Sequence, residues 1–260
     1  MIYYNNKVER PNVNNLCIVM DFDNTLTSED SISSYGVFQD KKIMGENYCK
    51  ECLKLDSKYI EIEKDYKISE ETKKILMEEW VEKSIKLLTK YHISQDIINK
   101  VVYTEKIKLR PGLKDFFLLM KKYKIPVIII SAGIGNVIEA FLKKEGILFE
   151  NIKIIGNFFD FSKRAAFIKN KMIHTSNKNE IKMQKQIENI ITMKEQIVLI
   201  GDTIEDVNII NNKLYMGKKI IKIGFFNDKS DDNLIKYNQK FDIVFTNEGT
   251  FNDIMDILLT

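Results

Sequence analysis

The chain has 260 residues, 44% of them hydrophobic and 30% charged, which fits one large globular domain or a domain carrying a sizeable insertion. Lys and Arg number 40 against 37 Asp and Glu, a net charge of +3, too even to argue for a nucleic-acid polymer or a membrane surface as partner. No apolar run approaches the ~18 residues of a membrane span, and residues 1–15 are polar with no apolar signal core, so the expectation is a cytoplasmic protein.

Leu16–Met20 is a short apolar run and reads as the first strand. From about Tyr35 to Tyr103 the pattern is mainly helical. Ser69 can cap a helix whose first turn holds Glu70 and Glu71. Met77, Trp80, Ser84 and Leu88 then recur at steps of three and four along one face, and Trp80 is read there as packing. Pro111 opens a helix at its first turn, with Leu113, Phe116, Phe117 and Met120 on one side. Pro126 ends the next turn. Residues 127–130 form a continuous apolar run, as buried parallel strands do. A helix is expected over 134–144, a strand over 152–155, and a small hairpin within 154–168. A helix over 180–193, a strand over 197–200 and a helix over 203–211 follow. Strands over 220–223 and 243–245 and a helix over 250–259 close the chain. This alternation predicts an α/β fold, a parallel sheet covered on both faces. The inserted helical region reads as a cap, residues 35–103, on a core of residues 1–34 and 104–260.

Cys49 and Cys52 form a lone CxxC. A tetrahedral zinc site needs four ligands, and the two histidines, His92 and His174, lie elsewhere in the sequence. The thiols are therefore read as reduced and the histidines as structural.

Three expected strands end on polar residues: Asp21-Phe22-Asp23, Ser131-Ala132-Gly133, and Gly201-Asp202 with Asp206 four residues on. In open parallel sheets ligands bind at the carboxyl ends of strands, so these groups should converge. Each pair of like charges ~4 Å apart costs roughly 4 kcal/mol at an effective dielectric of about 20, so four carboxylates call for a cation. Oxygen donors without His or Cys select a hard ion, Mg2+ first, on Asp21, Asp23, Asp202 and Asp206. A phosphoryl group suits such a site. Ser131 and the N–H groups of the Ser-Ala-Gly turn can donate to it, and Lys178, in "HTSNKNE", can supply positive charge. Asp21 could then attack phosphorus, with Asp23 protonating the leaving oxygen and activating water. Blander readings exist for single residues: Ser131 as a helix cap, Asp206 as a first-turn charge, Lys178 as solvated surface.

"DFDNTLT", "SAG", Lys178 and "GDTIED" resemble the four motifs of the haloacid-dehalogenase-like phosphatases, and the second Asp resembles the branches that transfer phosphate. Longer blocks are more specific. "SAGIGNVIEAFLKKEG", "NIKIIGNFFDF", "HTSNK", "LIGDTIEDVNI", "IKIGFFND" and "YNQKFDIVFTNE" are similar, in order and spacing, to the cytosolic 5′-nucleotidase III (pyrimidine 5′-nucleotidase) family. "KYIEIEKD" and "EEWVEKSIKLL" resemble its cap segments. The resemblance implies a Rossmann-like, doubly wound core with a helical cap inserted after the first strand, Mg2+ as cofactor, and hydrolysis of nucleoside 5′-monophosphates. By that resemblance Asp21 is the nucleophile and Asp23 the acid/base. Asp21, the backbone oxygen of Asp23, and Asp202 hold the metal, with Asp206 in support. Ser131, Ala132, Gly133 and Lys178 bind phosphate. Glu63 reads the base, with Ser84 nearby.

Two positions depart from the family pattern: Asn24 stands where Met is usual, and Asn136 where Asp is usual, which removes a charge expected near the phosphate. Two other substrates fit the same motifs, another small phosphate metabolite or 7-methyl-GMP. A binding protein that had lost the chemistry would have lost one of the five polar groups, and all five are present.

Overall fold

Leu16–Met20 carries five apolar side chains in a row, and a strand of that kind is stable only with both faces covered. In the computed structural model, which describes residues 1–260 except 7, 66, 105–106, 163–166, 169–170, 229, 247–248 and 260, all five are fully buried. The nine strands among the described residues are β1 (Ile2–Tyr4), β2 (Leu16–Met20), β3 (Val127–Ile134), β4 (Ile152–Asn157), β5 (Phe159–Asp160), β6 (Phe167–Ile168), β7 (Gln196–Gly201), β8 (Lys219–Phe226) and β9 (Ile243–Thr246). Seven of them form one sheet in the order β1-β9-β8-β7-β2-β3-β4. Every pairing in it is parallel except β1 with β9.

The order shows why the site lies where it does. From β2 the chain winds outward through β3 and β4, then returns to the other side of β2 through β7, β8 and β9. The direction reverses between β2 and β7, and a crevice opens at such a switch point. Register keeps the strand ends level: Met20 pairs with Ile129 on one side and with Ile200 on the other. Side chains alternate between faces. Leu16, Ile18 and Met20 join the core with Phe116 and Phe141, whereas Cys17 and Val19 join that with Ile187, Ile191 and Tyr215.

The helices are α1 (Lys41–Met44), α2 (Glu46–Lys64), α3 (Glu70–Lys90), α4 (Gln95–Thr104), α5 (Leu113–Lys122), α6 (Gly135–Lys144), α7 (Lys185–Thr192), α8 (Asp231–Lys240) and α9 (Phe251–Leu259). None of the described helices is long and apolar enough to cross a membrane. In the insertion, α2 and α3 pack against each other, and Tyr59 of α2 stacks on Trp80 of α3 with ring centroids 5.9 Å apart. Ser69 caps α3 by accepting from Thr72 N. Helix α4 lies against α6 of the core. Two ion pairs tie α3 to the core: Lys73 to Glu205 at 3.2 Å, and Lys74 to Glu180.

Several elements differ from the sequence reading. Residues 175–180 form a 3-10 turn, so the expected helix begins later, at Lys185. Ile204–Asn211 is also 3-10, because Asp206 turns back to bind the backbone at its start. Helix α5 starts two residues after Pro111 because Gly112 is left-handed (φ 81°), with Asn252 packed where a Cβ would sit. The short edge strand β1 and the polar helix α8 gave no apolar signal. The expected hairpin is the pair β5–β6, with Phe159 opposite Ile168; its tip lies outside the described residues.

One buried cation organises the loop after β2. Arg110 donates through Nε to Thr25 O (2.9 Å), through Nη1 to Gly249 O (3.1 Å) and through Nη2 to Asn24 O, and lies 3.9 Å over the Phe225 ring. Arg110→Leu leaves Thr25 O and Gly249 O without their donor, at ~1–3 kcal/mol each, whereas Asn24 O keeps Asn227 Nδ2 at 3.2 Å. A loss of about 3 kcal/mol or more is expected as a lower urea midpoint at unchanged slope.

Candidate functional site

The groups beyond the ends of β2, β3 and β7 meet in one cavity of about 370 Å³. All ten residues expected from the sequence line it: Asp21, Asp23, Ser131, Ala132, Gly133, Lys178, Asp202 and Asp206 from the core, and Glu63 and Ser84 from α2 and α3.

Lys178 stands at its centre. Its Nζ donates to Asp21 Oδ1 and to Asp206 Oδ1, both at 2.6 Å, and all three side chains are almost fully buried. The other oxygen of Asp206 accepts from Asp202 N (3.1 Å), Thr203 N (3.0 Å) and Thr203 Oγ1 (2.9 Å). Asp206 thus fixes both Lys178 and the loop that carries Asp202. Asp202 Oδ1 accepts from Thr25 Oγ1 at 3.1 Å.

Asp23 is gripped by Ser34, whose N–H donates to Oδ1 (2.8 Å) and whose hydroxyl donates to Oδ2 (2.6 Å). A Cβ on Gly133 would collide with Ser34 Oγ and stand 3.0 Å from both Asp23 Oδ2 and Ser131 Oγ. Only a glycine lets the β3 turn come this close. Ser131 Oγ accepts from Gly133 N at 3.0 Å, which leaves its hydroxyl proton to donate elsewhere.

Burial dominates the electrostatics. It pushes the Asp21 carboxyl up to about 7; Lys178 opposes the shift and Asp206 reinforces it. Asp202 is raised well above the usual carboxylate range by burial, then by Asp206 and Asp21. Asp23 is raised by burial, with Ser34 pulling the other way. Burial would lower Lys178, but Asp206 and Asp21 outweigh it, so its ammonium is held more firmly than that of a free lysine. Across the cavity, Glu63 is pushed up to about 7 by removal from water and by Glu205, against Lys73, Lys178 and Thr175.

The carboxylates do not form an all-carboxylate metal cage. Among the described residues no group of three or more His, Cys, Asp or Glu side chains is placed to hold an ion, because Asp206 is committed to Lys178 and the Thr203 turn, and the Asp23 carboxylate to Ser34. The donor set still fits a hard cation in a smaller way. Asp202 has one oxygen beyond the hydrogen bonds described above, Asp21 Oδ1 keeps a lone pair besides the one that Lys178 takes, and all donors are oxygen.

The two departures from the family pattern have structural reasons. Asn24 has φ 58°, a left-handed conformation that Asn tolerates better than Met. Asn136 does not stand beside the phosphate groups as expected. It binds the backbone of Phe159 in both directions, Nδ2 to O (3.2 Å) and N to Oδ1 (2.7 Å), and an Asp carboxylate could make only the second of these. Cys49 and Cys52 are free and buried; Cys49 donates to Gln39 O and Cys52 to Asp56 Oδ2. Asp56 also accepts from Trp80 Nε1 (3.2 Å) and Gln39 Nε2 (2.9 Å). Trp80 lines the cavity as well as packing on Tyr59. Ser34, Thr175 and His174 are site groups that the sequence reading missed. No motif marks Ser34. His174, read as structural, lines the cavity too.

A substrate-bound phosphoserine phosphatase shares the fold, with a TM-score of 0.58 at 18% identity over 97% of this chain and 100% of that one. Residues 24–260 match the family described as Pyrimidine 5′-nucleotidase (UMPH-1), and the chain belongs to that family. It is similar to 7-methylguanosine phosphate-specific 5′-nucleotidase B of Xenopus laevis, 33% identical over 52% of this chain and 47% of the relative. It is also similar to 7-methylguanosine phosphate-specific 5′-nucleotidase of Drosophila melanogaster, 31% identical over 90% of this chain and 76% of the relative. The chain thus spans about half the length of the Xenopus relative it matches. Cytosolic 5′-nucleotidase IIIB bound to cytidine superposes with a TM-score of 0.84 at 30% identity, over 95% of this chain and 84% of that structure.

Removing Lys178 strands two buried carboxylates. Lys178→Met is expected to cost about 3–5 kcal/mol at about pH 8, where the Asp21 carboxylate loses its counter-charge. Below the raised Asp21 value of about 7 the carboxyl is neutral and needs no cation, so the loss should shrink at about pH 5.5. Urea unfolding in chelator at the two pH values measures the difference.

Proposed function

We propose that this protein hydrolyses nucleoside 5′-monophosphates to nucleoside and phosphate, with pyrimidine nucleotides preferred. The carrying observation is that one cavity holds both the phosphate-directed cluster of Asp21, Asp23, Ser131 and Lys178 and the cap residues Glu63 and Ser84. Family membership and the cytidine-bound neighbour support the reading. The cytosolic name of that neighbour supports a cytoplasmic location.

Lys178, Ser131 Oγ and the N–H of Ala132 bind the phosphate oxygens and turn phosphorus toward Asp21, with Gly133 N–H holding Ser131 Oγ. Lys178 holds one Asp21 oxygen, leaving the second to attack and form an aspartyl-phosphate. Asp23, raised toward its neutral form and aimed by Ser34, protonates the departing O5′. As a carboxylate it then takes a proton from the water that opens the acyl-phosphate. Asp21, Asp202 and the Asp23 carbonyl would hold Mg2+, which supplies charge neutralisation for the approach of two anions.

Asp21→Asn removes the attacking charge and should bring phosphate release from CMP to background. Chelation should abolish wild-type activity, and added Mg2+ should restore it. Near-normal turnover by Asp21→Asn would eliminate the covalent route.

Base choice falls to Glu63. A neutral carboxyl can both donate and accept, whereas a carboxylate only accepts. Cytosine offers its amino group to either form. Uracil presents N3–H flanked by carbonyls: the neutral carboxyl pairs with N3–H and a carbonyl together, whereas the carboxylate takes N3–H alone and faces carbonyl oxygens. Because Glu63 sits at about 7, the CMP:UMP ratio of kcat/KM should rise between about pH 6 and pH 8, and Glu63→Gln should flatten it. Asp21 titrates in the same range but affects both substrates alike. Glu63→Ala should reduce kcat/KM for CMP roughly 5- to 150-fold, mainly through KM. A flat wild-type ratio would remove Glu63 from base recognition.

A second reading is favoured by the names of the Xenopus and Drosophila relatives: 7-methyl-GMP, whose N1–H and amino group offer two donors to a carboxylate and whose methylated ring is cationic. A panel of CMP, UMP, AMP, GMP and 7-methyl-GMP separates the two. The pyrimidine reading expects AMP and GMP to be poor substrates, and fails if 7-methyl-GMP exceeds both pyrimidine nucleotides.

A further inference from the structure

Buried polar atoms in native folds almost always find partners, so those that lack one mark places where something else supplies the bond. Among the described residues, the buried side-chain atoms without a partner belong to Tyr35, Asn151, His174, Ser176 and Tyr215, and of these Tyr35 and His174 line the cavity. His174 is the sharper case. It is 1% exposed, and both of its ring nitrogens are unpaired.

The backbone around it is fixed. His174 N donates to Asn177 Oδ1 at 2.9 Å, and His174 O accepts from Asn177 N at 3.2 Å. The preceding residue, Ile173, is held from both sides by Asn157, with both bonds 2.8 Å long. Burial lowers the imidazole to about 4, beyond what Glu78 restores, so at neutral pH the ring is uncharged and offers one donor and one acceptor.

Its position in the chain narrows the ligand. The next residue, Thr175, lines the cavity with Glu63 and favours its carboxylate. Lys178, four residues on, holds Asp21. His174 therefore belongs to the wall that joins the phosphate end of the cavity to the Glu63 end. If the cavity takes a nucleotide, as proposed above, the part that spans those ends is the sugar, whose hydroxyls both donate and accept. We propose that His174 is a sugar-binding residue of this cavity, its neutral ring hydrogen-bonding a ribose hydroxyl of the nucleoside monophosphate. The inference rests on the nucleotidase reading and adds a contact to the sugar, separate from those to phosphate and base.

The test compares CMP with 2′-deoxy-CMP and 3′-deoxy-CMP in wild type, His174→Phe and His174→Gln. Wild type should favour CMP over one of the deoxy forms by roughly 5- to 150-fold in kcat/KM. His174→Phe should bring that preference to within about twofold, mostly through KM, and His174→Gln, which keeps a donor and an acceptor, should recover part of it. A merely structural role would lower all three substrates together and leave the preference intact, and that result overturns the proposal. So does a wild type indifferent to both hydroxyls.

Direct observation avoids dependence on a variant's folding. The chain has two histidines, so ring-nitrogen NMR resolves them. Cytidine, with saturation followed through the single Trp, should shift the His174 signals and leave those of exposed His92 in place. Saturating cytidine without a His174 shift overturns the proposal. Failure of the nucleotidase reading looks different: wild type then releases no phosphate from CMP, UMP or 7-methyl-GMP, and the sugar contact falls with it.

Discussion

The structure depends on a single buried ammonium, that of Lys178, between two carboxylates. The switch point between β2 and β7 brings the chain out of the sheet at Asp21 and Asp202, and Asp206 follows within one turn. Buried carboxylates this close are tolerable only with a counter-charge or a proton. Lys178 provides the charge, reaching both Asp21 and Asp206 at 2.6 Å. Local structure yields to this need. Residues 175–180 and Ile204–Asn211 adopt 3-10 geometry, not the α-helix that their sequences allow, and Asp206 spends its second oxygen on the start of its own turn.

That explains which parts of the fold were legible in the sequence. β2, β3 and β7 were visible because a strand buried on both faces must be apolar throughout, and the ends of β2 and β7 were visible because carboxylates after such a run have no packing explanation. The 3-10 turns were not, since Lys178, in the first of them, pairs with Asp21, 157 positions away, and with Asp206 in the second. β1 offers three residues at an edge, and α8 has a polar face with few apolar neighbours in sequence. Arg110 looked like one basic residue among many. Its role as a clamp on Asn24, Thr25 and Gly249 exists only once β2, α5 and α9 are assembled.

The site divides along the same line. Core groups sit at fixed offsets from strand ends, so motif spacing carries their geometry. Cap groups sit on helices, where a stripe such as Met77, Trp80, Ser84 and Leu88 reads as packing whichever way the helix turns. Trp80 packs on Tyr59, binds Asp56 and lines the cavity, so the packing reading covered one part of its role. Ser34 and His174 were illegible for another reason. Each does its work through a contact that no local pattern encodes: Ser34 by approaching Gly133 across the crevice, His174 by being buried with nothing to bind.

The cap and the core are also joined electrically. Lys73 leaves α3 to pair with Glu205, in the turn that carries Asp206. Both members of that pair act on Glu63, Glu205 raising its carboxyl and Lys73 lowering it. Glu63 sits on α2, and without the docking of α3 onto the core neither charge would be fixed beside it. After burial, which raises Glu63 most, its protonation is therefore tuned by the contact that docks α3. On the base-reading role proposed for Glu63, substitutions at this docking contact would shift base preference without touching the base, because moving either charge shifts the balance between the form that donates and the form that only accepts.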